Sequence, residues 1–276
     1  MAGVAVITGT THGIGRVTSR ELARAGATVV MLCRDPRAGE AVRQNIRERV
    51  PGAVVHVREC DLASFASIRE CARSVRREFP RIGLLINNAA TVSLAHRMSV
   101  DGFELTFATN HLGPFLLTNL LTERLEDAAR IINVASRAHF RARMDLGAVR
   151  DPRARYRSAA AYAQSKLANV LCTFAQARRF ASSRICVNCL HPGVVATNLL
   201  PWWLRVVKPL LSRRVFDVER GARTSVFLAL AREVEGQSGL YFDEYQTART
   251  AAPLALDLDL QESLWQASSR WVGLPA

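Results

Sequence analysis

The sequence predicts an α/β protein in which a doubly wound, mostly parallel sheet carries helices on both faces. Three observations point there. Short apolar runs alternate with longer helical patterns along the chain, the rhythm of successive βαβ units. A glycine-rich turn follows the first apolar run and opens the first helix. No internal repeat, low-complexity tract or Gly/Ser linker divides the 276 residues, so 1–276 reads as one Rossmann-like domain.

The strands are expected at Val4–Ile7, Thr28–Leu32, Val54–Val57, Leu84–Asn87, Arg130–Val134 and Ile185–Leu190. Each is a short apolar run, as strands buried on both faces require. Between them the helical patterns cover Ile14–Ala25, Pro36–Arg49, Ser64–Phe79, Ser99–Leu125 and Ala159–Phe180. Asp35 stands before Pro36 as an N-cap before a proline at the first helical position, and Ser64 caps the third helix. Two segments break the rhythm, Arg137–Ser158 and Pro192–Arg214. Both follow carboxyl ends of strands, where ligands bind in such sheets, and we expect a substrate wall and a lid at about 192–217.

Hydrophobic residues make up 49% of the chain and charged residues 22%, the balance of an ordinary globular protein with a substantial core. The net charge of +13 is almost all arginine, since only Lys166 and Lys208 are lysines. These arginines are scattered over helices (Arg43, Arg47, Arg49; Arg73, Arg76, Arg77; Arg178, Arg179) without the spacing of a nucleic-acid module, so no nucleic-acid partner is expected. Cys33, Cys60, Cys186 and Cys189 lie in or beside apolar strands, as buried free thiols do. The Cys186-x-x-Cys189 pair has no second pair or histidine cluster to complete a metal site. The first strand begins at Val4 and no stretch has the length of a membrane span, so the expected setting is cytoplasmic.

Chemistry concentrates in two places. Thr8-Gly9-Thr10-Thr11-His12-Gly13-Ile14-Gly15 joins the first strand to the first helix, where backbone can approach a pyrophosphate at a helix N-terminus. Tyr162 and Lys166 stand four apart on a helical pattern and share one face. A phenol titrates near 10, and a nearby ammonium stabilises the phenolate, which makes the pair a candidate acid/base.

The spacing Thr-Gly-x-x-x-Gly-x-Gly resembles that of the short-chain dehydrogenase/reductase family. Further motifs follow in the family's order. Cys60-Asp61-Leu62 resembles its adenine-side aspartate segment, and Asn87-Asn88-Ala89-Ala90 its Asn-Asn-Ala-Gly, with alanine replacing the last glycine. Asn110 matches its helix asparagine, and Ser136 precedes Tyr162 and Lys166 by a comparable interval. His191-Pro192-Gly193-Val194-Val195-Ala196-Thr197 matches the Pro-Gly segment that lines the nicotinamide. The resemblance implies cofactor contacts at Gly9, Thr11, His12, Gly13, Ile14, Gly15, Arg34, Asp61, Leu62, Asn88, Ala89, Tyr162, Lys166, Pro192, Gly193, Val195 and Thr197. It implies catalysis by Asn110, Ser136, Tyr162 and Lys166: hydride moves between the nicotinamide and a carbonyl carbon while Tyr162 handles the proton. Ser136 would orient the oxygen, Lys166 would bind the ribose and depress the tyrosine pKa, and Asn110 would position a water.

At the end of the second strand Asp35 could bind the ribose of NAD, but its place before Pro36 commits it to the helix. Arg34 is then free to hold a 2′-phosphate, so NADP(H) is expected over NAD(H). Asn110–Thr118, Ala161–Asn169 and the terminal Leu264-Trp265 helix resemble the retinol dehydrogenase-like group, which implies an apolar retinoid-, lipid- or steroid-like carbonyl or alcohol as substrate. The same resemblance implies a homodimer or homotetramer paired through Ser99–Leu125 and Ala159–Phe180. Leu199–Leu211, with Trp202 and Trp203, is apolar beside basic residues and is expected to meet substrate, a partner subunit or a membrane surface. The rival to an enzyme is a catalytically silent NADP-binding regulator of the same fold; such proteins lack the serine or the Tyr-Lys pair, and this chain has all three.

Overall fold

The computed structural model describes residues 3–151, 155–195 and 217–275. Among them, strands β1 (Val4–Thr8), β2 (Thr28–Cys33), β3 (Val55–Glu59), β4 (Ile82–Asn87), β5 (Leu125–Val134) and β6 (Cys186–Leu190) form a parallel sheet. Short β7 (Tyr241–Phe242) and β8 (Ala248–Arg249) complete the order β3-β2-β1-β4-β5-β6-β7-β8, with only β8 antiparallel to its neighbour. Chain order reverses between β1 and β4, which are hydrogen-bonded neighbours. That is the switch point where such sheets open a ligand crevice.

Alternation along each strand divides the core into two layers. Val6, Val30, Leu85, Ile131 and Val187 face α3 (Phe65–Glu78), α5 (Gly113–Leu121) and α6 (Ser158–Arg179). Ala5, Ile7, Val29, Met31, Leu84, Ile86 and Ile132 face α1 (Gly13–Arg24), α2 (Pro36–Arg49) and α7 (Val218–Leu230). The caps act as the sequence suggested: Asp35 accepts from Arg37 N at 2.9 Å and Ala38 N at 3.2 Å, and Ser64 accepts from Ser67 N.

The helix expected over Ser99–Leu125 is broken up. Glu104 turns its carboxylate onto the amides of Thr106 and Phe107 and starts a single turn, α4 (Leu105–Phe107). A π-helical turn follows at Ala108–Leu112 before α5 begins. Gly113 marks the joint, because a Cβ there would lie 2.5 Å from the Leu62 carbonyl oxygen; glycine lets α5 close onto the loop after β3.

The terminal helix, α8 (Leu258–Val272), lies against α5 and α6. Trp265 meets Phe115 edge-on at 4.8 Å, and the Arg179 guanidinium stacks 4.0 Å over the Trp265 ring while pairing with Glu262 at 2.8 Å. His111 in the π-turn hydrogen-bonds Ser268 at 2.9 Å. Part of the surface at which two copies were expected to pair therefore carries α8 of the same chain.

Candidate active site

A cavity of about 600 Å³ opens at the carboxyl ends of β1, β4, β5 and β6, within the size range of small-molecule sites. One wall is the turn after β1, where Gly9, Thr11, His12, Gly13, Ile14 and Gly15 line the cavity. His12 is the N-cap of α1 but gives no side-chain hydrogen bond to it, so the first-turn N–H groups remain for an anion. Gly15 is required by packing: a Cβ there would stand 2.2 Å from the Gly9 carbonyl oxygen and 2.4 Å from Asn88 Nδ2. Asn88 stitches this turn to β4, its Nδ2 donating to the carbonyls of Thr8 at 2.9 Å and Gly9 at 3.1 Å. Ala89 beside it lines the cavity.

Arg34, Asp61 and Leu62 lie on the wall beyond the tips of β2 and β3. Asp35 is occupied as the α2 cap, whereas Arg34 is exposed and no carboxylate pairs with it among the described residues. An uncapped helix N-terminus with an unpaired guanidinium on the same cavity fits a phosphorylated dinucleotide.

The opposite wall brings Ser136, Tyr162 and Lys166 together. Ser136 ends the extension of β5 and starts a 3-10 turn, Arg137–Arg141, its Oγ accepting from Ala138 N at 3.2 Å and lying close enough to Tyr162 to act on its pKa. Lys166, one turn past Tyr162 on α6, is 1% exposed; its Nζ donates to the Val134 carbonyl at 2.7 Å and lies 5.8 Å from the centroid of the Tyr162 ring. Burial lowers the Lys166 pKa to about 7. The Tyr162 pKa is raised, because burial outweighs the Ser136 hydrogen bond that acts to lower it.

Asn110 sits one layer behind the wall, which Thr109 lines instead. It is fully buried in the π-turn, accepts from Thr91 N at 2.7 Å and donates to Thr91 O at 2.9 Å and Ser165 Oγ at 3.0 Å. Its side chain thus ties the loop after β4 to α6. Beyond β6, Pro192, Gly193 and Val195 line the cavity. Thr197, Trp202, Trp203, the Leu199–Leu211 segment and most of the expected lid at 192–217 lie outside the described residues.

Further residues that line the cavity include His191 and Val194, which stand inside the 191–197 motif but are not among the expected contacts, and Thr91, which follows the 87–90 motif. His191 is 4% exposed with both ring nitrogens unpartnered, and burial holds its pKa down at about 4. Its place directly before Pro192 was the available signal.

The family model described as short chain dehydrogenase matches residues 3–203. The chain belongs to the short-chain dehydrogenase family. This short-chain dehydrogenase is similar to human Retinol dehydrogenase 13, 40% identical over 98% of this chain and 85% of the relative. It is likewise similar to human Retinol dehydrogenase 14, at 39% over 98% and 86%. Among solved structures, an uncharacterized protein from Mycobacterium paratuberculosis superposes with a TM-score of 0.82 at 34% identity, covering 99% of this chain and 95% of that one. A short-chain dehydrogenase/reductase from Serratia marcescens gives 0.71 at 25%, covering 90% and 99%. The family makes the protein an oxidoreductase that uses a nicotinamide cofactor on small molecules.

Proposed function

We propose that this short-chain dehydrogenase interconverts an alcohol with a ketone or aldehyde using NADP(H), on an apolar retinoid-, lipid- or steroid-like substrate. The observation that carries the reading is the meeting of Ser136, Tyr162 and Lys166 on one cavity wall, across from the glycine turn. The relatives named retinol dehydrogenases support the alcohol and retinoid part. The occupied carboxylate of Asp35 beside unpaired Arg34 supports a 2′-phosphate and hence NADP(H).

The nicotinamide, when bound, supplies or accepts the hydride. Gly13, Ile14 and Gly15 would hold the cofactor's pyrophosphate at the start of α1, Arg34 its 2′-phosphate, and Pro192, Gly193 and Val195 its nicotinamide end. Tyr162 gives its phenolic proton to the substrate oxygen in reduction and takes it back in oxidation. Ser136 donates to the same oxygen and fixes its distance from Tyr162. Lys166 would bind ribose hydroxyls, and its ammonium, one helical turn from Tyr162, would act to lower the Tyr162 pKa. Proton transfer of this kind contributes roughly 10²–10⁴-fold to rate.

The test is NADPH absorbance with a panel of apolar aldehydes and ketones, retinal included. Turnover with a higher kcat/KM for NADPH than for NADH is expected. Equal or better use of NADH would refute the cofactor assignment, and tight NADPH binding without turnover of any panel member would favour the silent regulator.

A further inference from the structure

The turn that presents Ser136 is held by a histidine outside the cavity wall. His139 is 1% exposed and does not line the cavity. Its Nδ1 lies 2.7 Å from the carbonyl oxygen of Ser136, and its Nε2 lies 3.2 Å from the amide nitrogen of Ala252. A carbonyl only accepts and an amide N–H only donates, so the ring is the tautomer with hydrogen on Nδ1 and a bare Nε2. Burial lowers its pKa and keeps that neutral form. Phe140 at 4.1 Å and Tyr241 at 4.8 Å fix the ring plane.

The Ser136 carbonyl also takes the His139 amide at 3.1 Å, so both backbone and side chain of His139 close on it. The serine Oγ is held on its other side by Ala138 N. Ala252, the far anchor, is buried immediately before the turn Pro253–Leu256 that leads into α8. One imidazole thus ties the 3-10 turn beginning at Ser136 to the C-terminal segment.

We propose that His139 is a positioning residue for the Ser136 hydroxyl, acting through its Nδ1–H bond to the Ser136 carbonyl. The inference rests on the reading of Ser136 as the group that orients the substrate oxygen. A histidine that merely fills the core would serve equally well with either nitrogen matched; a positioning histidine needs the donor that faces Ser136.

Two substitutions separate these cases. Asparagine puts its side-chain nitrogen near the place of Nδ1, and glutamine puts its amide near that of Nε2. The His139→Asn and His139→Gln enzymes are assayed with NADPH and a turned-over carbonyl, alone and on a Ser136→Ala background, alongside NADPH affinity by fluorescence and thermal melts. Expected are a kcat within about threefold of wild type for His139→Asn and about tenfold lower for His139→Gln, with cofactor affinity unchanged. On the Ser136→Ala background the glutamine loss should vanish, since the hydroxyl it positions is gone. Equal losses in the two variants, or the same tenfold loss without the serine hydroxyl, overturn the proposal while leaving the Ser136 assignment intact. Wild-type turnover in Ser136→Ala itself overturns both. If His139→Gln fails to bind NADPH, a large kcat loss in a cofactor-binding His139→Asn enzyme overturns the proposal, and near-wild-type kcat supports it.

Discussion

The Nζ of Lys166 donates to the carbonyl oxygen of Val134 at 2.7 Å, a single neutral acceptor for a fully buried ammonium. Burial places its pKa at about 7 in the folded protein, well under its ordinary value. The unfolded chain therefore binds the extra proton from about pH 7 up to the ordinary lysine range. Stability rises with pH across that window, and the penalty is fully present below it. Lys166→Met should raise the melting temperature at pH 6 and lose most of that gain by pH 10, at about 1.4 kcal/mol per pH unit. A gain that does not vary with pH contradicts the buried, uncompensated charge.

In the proposed NADP(H) reading, Arg34 is the group on which cofactor choice turns. Arg34→Ala removes a charge-assisted contact worth about 1.5–3 kcal/mol, so kcat/KM with NADPH should fall by about 10- to 100-fold while that with NADH stays level. Steady-state kinetics with both cofactors measures this; parallel losses with the two would place Arg34 away from the 2′-phosphate.

At Gly15 an added methyl meets backbone, not a side chain that can move aside, since the Gly9 carbonyl lies 2.2 Å from the Cβ position. Gly15→Ala should destabilise the fold by about 1–3 kcal/mol and weaken NADPH binding together. Titration of NADPH fluorescence with parallel melts reads both, and an alanine enzyme with wild-type affinity and melting point would show that the turn tolerates a side chain.

His111 and His191 are buried and held neutral, with pKa values lowered to about 3 and about 4. Both lie below the unfolded value, so the unfolded chain gains protons first as pH falls. Stability present above about pH 6.5 is lost between there and about pH 4, by about 1.4 kcal/mol per pH unit for each histidine. Urea unfolding at pH 7, 5.5 and 4.5 should show this slope, and the His111→Gln/His191→Gln protein should show it reduced. Identical slopes in the two proteins would remove these histidines as its source.

Much of this was legible in the residues. Apolar strand runs placed β1, β2, β4 and β6 nearly to the residue, and the Asp35-Pro36 signal correctly gave Asp35 to the α2 cap. The glycine turn was readable from its place between a strand and a helix, whereas Ser136, Tyr162 and Lys166 were readable through the resemblance to the short-chain family, since a Tyr-x-x-x-Lys spacing alone fits any amphipathic helix. The break between Ser99 and Leu125 was not, because a helical apolar pattern continues through it while Glu104 and the Gly113–Leu62 approach decide the backbone. Two-residue β7 and β8 are too short to carry a period. The lowered pKa of Lys166 itself was not legible, because spacing reveals that an ammonium is near Tyr162, whereas burial, a tertiary quantity, sets how readily it keeps its proton. His139 escaped for the same reason, its two partners lying at positions 136 and 252.

The proposed proton transfer depends most directly on the Tyr162 hydroxyl. In Tyr162→Phe, assayed by NADPH absorbance with a carbonyl that the wild-type enzyme reduces, NADPH affinity should be retained and kcat should fall by roughly 10²–10⁴-fold. Turnover unchanged from wild type would contradict the proposed chemistry.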